Sequence, residues 1–237
     1  RFIIHGGGLL RGSLAVSGAK NDALPVLAAA LLSEGLTTVE NLPHIEDVSR
    51  ACELLTGLGV RVERVNDRAI KLSPALELGS ALDRDIAKRL RASILFTGAL
   101  LARCGKVSFP HPGGCVIGER PIDIFLKGFE ALGADVKERD GIFHVSAPGG
   151  LHGASFFFPR ISVTGTETLL MAAVLAKGTT ILENAAMEPE VVSLAEYLNG
   201  CGAKISGHGT ARIVVEGVTR IGGGSHCVIP DRIETGS

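Results

Sequence analysis

The 237-residue sequence contains no tryptophan, one tyrosine and nine phenylalanines. Stacking platforms for single-stranded nucleic acid have little to be built from. Neither sign of charge predominates: 24 Lys and Arg stand against 25 Asp and Glu, a formal net charge of −1. That balance excludes a general nucleic-acid binder, whose affinity rests on excess basic charge. It leaves room for an anionic ligand held locally by a few arginines. No uninterrupted apolar run reaches about 18 residues, so no membrane-spanning helix is expected. The five cysteines at 52, 104, 115, 201 and 227 include no CxxC pair and no Cys/His set with zinc spacing. The seven histidines form no HExxH cluster, and no metal site is expected. An odd cysteine count without a secretory signal points to a reducing cytoplasm.

What is present is a foldable chain: 46% apolar residues and a mean hydropathy of +0.31 exclude wholesale disorder. The 31 glycines punctuate it, and they reveal an internal repeat. Segments 30–39 (ALLSEGLTTV), 99–109 (ALLARCGKVSF) and 173–182 (AVLAKGTTIL) each read as the apolar end of a helix, a glycine stop and a β-rich run. A second landmark follows each of them, at 58–62 (LGVRV), 132–136 (LGADV) and 201–205 (CGAKI). The first glycines fall at 35, 105 and 178, so the unit is 70 to 73 residues long. That length suits a β-α-β-α-β-β unit. Three such units packed around their helices predict an α/β domain with helices inside and sheets outside.

The two landmarks are 24 residues apart in the first and third units and 28 apart in the second. The extra residues fall between Phe109 and Glu119, in a Gly- and Pro-rich segment that carries Cys115. A loop lengthened in one copy of three is where chemistry is expected. Counting back fourteen residues from each first glycine reaches Asn21, Arg91 and Thr164. Threefold packing would bring these helix starts, with Lys20 and Ser162, to one end of the domain. Helix N-termini favour anions, and Lys20 and Arg91 add full charges there.

Each candidate also has a plainer reading. Arg120, five residues past Cys115, would favour its thiolate, but Cys115 could equally be an unreactive loop thiol. Cys52, Cys104 and Cys201 sit in apolar helix contexts as small hydrophobes. Arg91 and Arg120 could be solvated charges. Asp47, Glu188 and Glu190 read as first-turn acids that complement helix dipoles. The run SGAKN at 17–21 is no Walker A loop, because the GxxxxGK spacing is absent.

Five motifs in order carry a resemblance: SGAKN at 17–21, RAS at 91–93, PGGCVIGERP at 112–121, ENAA with EPE at 183–190, and PDRIETG at 230–236. Together they resemble the UDP-N-acetylglucosamine enolpyruvyl transferase family (UDP-N-acetylglucosamine 1-carboxyvinyltransferases). The cysteine loop distinguishes that family from its sister, the enolpyruvylshikimate phosphate synthases. Two departures stand out: residues 186–188 lack an arginine usual in the family, and Thr164-Gly165 reverses an order seen in some relatives.

The resemblance implies an inside-out α/β barrel and transfer of the enolpyruvyl group of phosphoenolpyruvate to the 3′-hydroxyl of UDP-N-acetylglucosamine. It implies the first committed step of peptidoglycan synthesis in a bacterial cytoplasm, with no metal or organic cofactor, and sensitivity to fosfomycin. Carried over residue by residue, Cys115 is the general acid and the site of a covalent adduct. Lys20 and Asn21 bind phosphoenolpyruvate, and Arg91 and Arg120 contact anionic groups. Arg120, Pro121, Ile122, Asp123 and Ile124, with Arg160, Ile161, Ser162 and Val163, form the UDP-sugar site.

Such enzymes have two similar domains, and the sequence reads as one of them. Residues 1–19 are expected to be a strand leading in from a second domain, 20–229 the three-repeat domain, and 230–237 a linker stub. The units are expected at about 20–88, 89–160 and 161–229. One half is expected to be inactive alone and to self-associate through its exposed interface. Two rival readings remain open. One is an isolated module that binds a UDP-sugar without turnover; the other, a cysteine hydrolase, has no histidine partner evident in the sequence.

Overall fold

The computed structural model describes residues 2–3, 6–9, 11–113 and 121–236. Its first unit contains α1 (Lys20–Ala29), β1 (Thr37–Glu40), α2 (Glu46–Gly57), β2 (Arg61–Asn66) and β3 (Ala69–Ser73). Next come α3 (Arg84–Arg89), α4 (Ile94–Cys104), β4 (Lys106–Pro110), α5 (Asp123–Ala131), β5 (Asp135–Arg139) and β6 (Ile142–Ser146). The third run holds β7 (Ser155–Phe157), α6 (Val163–Val174), β8 (Thr179–Glu183), α7 (Pro189–Gly200), β9 (Lys204–Ser206) and β10 (Arg212–Glu216). β11 (Ser225–Cys227) and α8 (Arg232–Thr235) follow.

The α/β architecture is the one the repeat predicts. Helices α1, α4 and α6 carry apolar residues on nearly every face and are buried on nearly every face, as helices at the centre of a core must be. They pack on one another, and α4 meets α6 most closely. A Cβ at Gly98 of α4 would lie 2.1 Å from the Thr168 carbonyl oxygen of α6, so only glycine permits this crossing. The companion helices α2 and α5 are amphipathic, with one buried stripe each. The three sheets lie outside the helices. Their ladders bury alternate residues inward, as in β10, and leave strands such as β2 and β5 mostly exposed.

The sheets repeat one plan: a parallel pair, then two antiparallel neighbours. The third has the order β7-β8-β10-β9, with β7 parallel to β8. The first has the order β11-β1-β3-β2, with β11 parallel to β1, so the far end of the chain completes the first sheet. The second holds β4-β6-β5, and the parallel bridge Ala81↔Ser108 stands where its fourth strand would be. The landmark glycines Gly59, Gly133 and Gly202 all have φ between +89° and +106°, the left-handed turn that ends a helix and feeds a strand. Gly35 differs. It is not left-handed, and its missing Cβ admits the backbone of Gly223, 2.6 Å from where a Cβ would stand.

The described residues before Gly18 form no strand; Gly6, Gly7, Gly8 and Gly12 give them no side chains to pack, and Leu9 and Leu14 are exposed. Among the described residues, pairing of this end begins at Ser17 and Gly18, against Asp231 and Pro230. Within residues 230–236, Asp231 Oδ1 accepts from the Ile233 and Glu234 N–H groups and caps α8.

Candidate functional site

The starts of the three central helices meet at one end of the domain. Lys20 opens α1, a 3-10 turn at Arg91–Ser93 leads into α4, and Ser162 caps α6 by accepting from the Gly165 N–H at 3.1 Å. Between them lies a cleft of about 560 Å³. Lys20, Asn21, Arg91, Arg160, Ser162 and Thr164 supply its polar lining, with Asp47. Leu24, Ile94, Phe125, Ile161 and Ile124 give apolar walls, and Pro121 and Ala92 complete it. Three cations face one carboxylate among these lining residues, and the oriented N–H groups of the helix starts have the same sign. The cleft therefore favours an anion with an apolar portion.

Among the described residues, Lys20–Asp47 and Arg160–Asp123 are ion pairs at the rim. Lys20 Nζ lies 3.2 Å from Asp47 Oδ2, both partly exposed. Arg160 donates to Asp123 Oδ1 at 2.7 Å and joins the start of α6 to the start of α5. That hydrogen bond holds the Asp123 carboxyl below its ordinary range. Exposed pairs of this kind yield readily to a ligand that offers a better-placed anion.

Of the residues expected from the sequence, the structure gathers Lys20, Asn21, Arg91, Pro121, Ile124, Arg160, Ile161 and Ser162 around this cleft. Ile122 does not line it: it is buried in the core, and Val163 packs against that core. Asp123 reaches the cleft through Arg160. Cys115 and Arg120 lie outside the described residues. Cys52, Cys104 and Cys201 are buried or half-buried, and burial pushes their thiols up, Cys52 to about 11. Among the described residues no group of three or more His, Cys, Asp or Glu is placed to hold a metal, and no helix is long and apolar enough to cross a membrane.

The structure adds what the sequence reading lacked. Asp47 is a first-turn acid of α2, as read, but it also enters the cleft to meet Lys20. Glu190 stands in the first turn of α7, yet it is buried and takes the Arg232 Nε–H at 2.9 Å. Asp22 and Glu167, neither singled out in the sequence, are buried polar residues of α1 and α6. Burial and the nearby carboxylates of Glu190, Asp22 and Glu188 raise the Glu167 carboxyl well above its ordinary value. A second cavity of about 380 Å³ between α2 and the β2–β3 hairpin contains none of the expected site residues.

Three buried helices ringed by sheets, with their starts converging on a cationic cleft, define the enolpyruvyl transferase fold. The chain is similar in structure to the enolpyruvyl transferase NikO from Streptomyces tendae, with a TM-score of 0.83 at 22% identity over 98% of this chain and 55% of that one. It is also similar to an EPSP synthase from Acinetobacter baumannii, with a TM-score of 0.74 at 18% identity over 92% of this chain and 50% of that one. The chain thus spans about half the length of these relatives. The family model for EPSP synthase (3-phosphoshikimate 1-carboxyvinyltransferase) matches residues 4–237, and the chain belongs to that family.

Proposed function

We propose that this chain provides one half of the active site of an enzyme that transfers the enolpyruvyl group of phosphoenolpyruvate to UDP-N-acetylglucosamine. The observation that carries this reading is the convergence of Lys20, Asn21, Arg91 and Arg160 on one cleft lined by helix starts. Phosphoenolpyruvate brings a phosphate and a carboxylate, and a UDP-sugar brings a diphosphate. Both need clustered cations and N–H groups. Family membership supports the enolpyruvyl chemistry. The PGGCVIGERP motif at 112–121 supports the UDP-sugar over a shikimate acceptor.

In this reading the 3′-hydroxyl oxygen bonds to C2 of phosphoenolpyruvate as its proton passes to a base, and Cys115 delivers a proton to C3. The tetrahedral ketal then loses that C3 proton and phosphate departs, which restores the double bond. Lys20 and Asn21 hold the phosphoenolpyruvate anion and Arg91 and Arg120 offset charge that grows on phosphate. Pro121, Ile124, Arg160, Ile161 and Ser162 flank the UDP-sugar, with Asp123 acting through Arg160. Ile122 and Val163 serve as core residues that set the start of their helices. The reaction itself needs no metal or organic cofactor.

A second reading is favoured by the chain's span of about half of its solved relatives: a half-site that binds without turnover. Phosphate release from phosphoenolpyruvate, measured with and without UDP-N-acetylglucosamine, separates the two. Release that requires both substrates and vanishes in Cys115→Ser supports the enzyme. Binding of the UDP-sugar with no release supports the half-site, and neither binding nor release overturns both.

A further inference from the structure

α1 begins with two local weaknesses. Its N-cap is Ala19, which has no side chain to accept a first-turn N–H. Pro25 lies inside it, so the Asn21 carbonyl loses the donor that an ordinary fifth residue would supply. Yet this turn presents Lys20 and Asn21 to the cleft. The compensation comes from 204 residues away. Asp22, fully buried, has its Oδ2 2.8 Å from His226 Nε2 of β11, and the same oxygen accepts the Ile229 N–H at 2.9 Å. The following strap is fastened alongside: Ala19 N–H donates to the Ile229 carbonyl at 2.7 Å, and Asp231 N–H donates to the Ser17 carbonyl at 2.8 Å.

We infer that Asp22 and His226 are a positioning pair that sets the rotation of the α1 start, and with it the aim of Lys20 and Asn21 into the cleft. Helical geometry makes this direct. With Asp22 pinned inward, Asn21 and Lys20 lie about 100° and 200° further round the axis, on the faces that reach the cleft. Neither Asp22 nor His226 lines the cleft. Nor is the pair part of a hydrolytic relay: Ser193 Oγ lies 3.5 Å from the same His226 nitrogen that faces Asp22, so the ring does not bridge the two through opposite nitrogens. The role in phosphoenolpyruvate binding rests on the function proposed above, whereas the pinning of the helix start does not.

The test uses the whole chain with Asp22→Ala, Asp22→Asn and His226→Ala. Amide hydrogen exchange reads the turn, and calorimetric titration reads phosphoenolpyruvate and, separately, UDP-N-acetylglucosamine. All are run well below each variant's unfolding midpoint. Asp22→Ala is expected to lower protection at Asp22–Leu24 by about tenfold or more, with the starts of α4 and α6 unchanged. It should weaken phosphoenolpyruvate about tenfold and the UDP-sugar by less than about threefold, as expected when one charged group loses its aim. Asp22→Asn keeps an acceptor oxygen for the Ile229 N–H and should recover most of both effects. Uniform or absent exchange changes overturn the pinning. Local exchange changes with equal loss of both ligands overturn the aiming role. If the unaltered chain binds no phosphoenolpyruvate, the proposed function fails, and exchange at Asp22–Leu24 still decides the pinning.

Discussion

Arg160 donates to Asp123 across 2.7 Å and thereby joins the start of α6 to the start of α5, two elements 37 residues apart in the chain. The bond stabilises the charged form of Asp123, whose carboxyl titrates below its ordinary range chiefly because of it. A group depressed on folding contributes stability above its unfolded pKa, and that contribution is lost as pH falls through the folded value. The rim pair is therefore intact at neutral pH and opens only in strong acid. Following the Asp123 carboxyl carbon by NMR should give a midpoint below about 3.9. Arg160→Ala should return the midpoint towards that value, and an unchanged midpoint would contradict the pairing.

Glu167 predicts the opposite pH dependence. Its folded pKa is raised well above the ordinary value by burial first and by Glu190, Asp22 and Glu188 next. The unfolded chain ionises near pH 4.5 while the folded chain keeps the proton. Stability is thus fully present below the unfolded pKa and falls as pH rises towards the folded one. Glu167→Gln removes the dependence. Urea unfolding from pH 4 to 8 should show the variant gaining on the parent as pH rises, and parallel curves would refute the buried proton.

Gly98 and Gly57 should respond to alanine in opposite directions. At Gly98 the new methyl meets the Thr168 backbone at 2.1 Å, so α4 and α6 must separate. Net destabilisation of about 1–3 kcal/mol is expected despite the better helix propensity. At Gly57, in the last turn of α2, nothing lies within 4 Å, and alanine should be neutral or stabilising by up to about 1 kcal/mol. Denaturant midpoints of the two variants check the contrast.

Thiol reactivity should separate the cysteines. Burial lifts Cys52 to about 11, which leaves roughly one thiolate in ten thousand at pH 7. Labelling by an epoxide such as fosfomycin should vanish in Cys115→Ser and persist in Cys52→Ser. Equal labelling of both variants would remove Cys115 from the proposed chemistry.

Much of this architecture is legible in the sequence because glycine marks it. Gly59, Gly133 and Gly202 hold the same left-handed turn in three units, and fourteen residues before Gly35, Gly105 and Gly178 the chain reaches the three helix starts around the cleft. What stays hidden depends on pairing across long sequence distances. Nothing in spacing shows that β11 returns to β1, so the burial of Asp22 against His226 is invisible until the sheet is formed. Glu190 has the local signature of a helix-start acid, and only the return of Arg232 across α7 shows why it is buried. The helix dipole and the buried ion pair make the same local demand on a sequence, an acid in the first turn, so local pattern cannot tell them apart.

In the proposed function the converging starts of α1, α4 and α6 form an anion site for phosphoenolpyruvate. The most direct measurement is calorimetric titration of the chain with phosphoenolpyruvate, with UDP-N-acetylglucosamine present, on the parent and on Lys20→Ala and Arg91→Ala. Saturable binding of one equivalent, weakened at least about tenfold by each substitution, is the predicted result. Binding that neither substitution alters, or no binding at millimolar ligand, would contradict it.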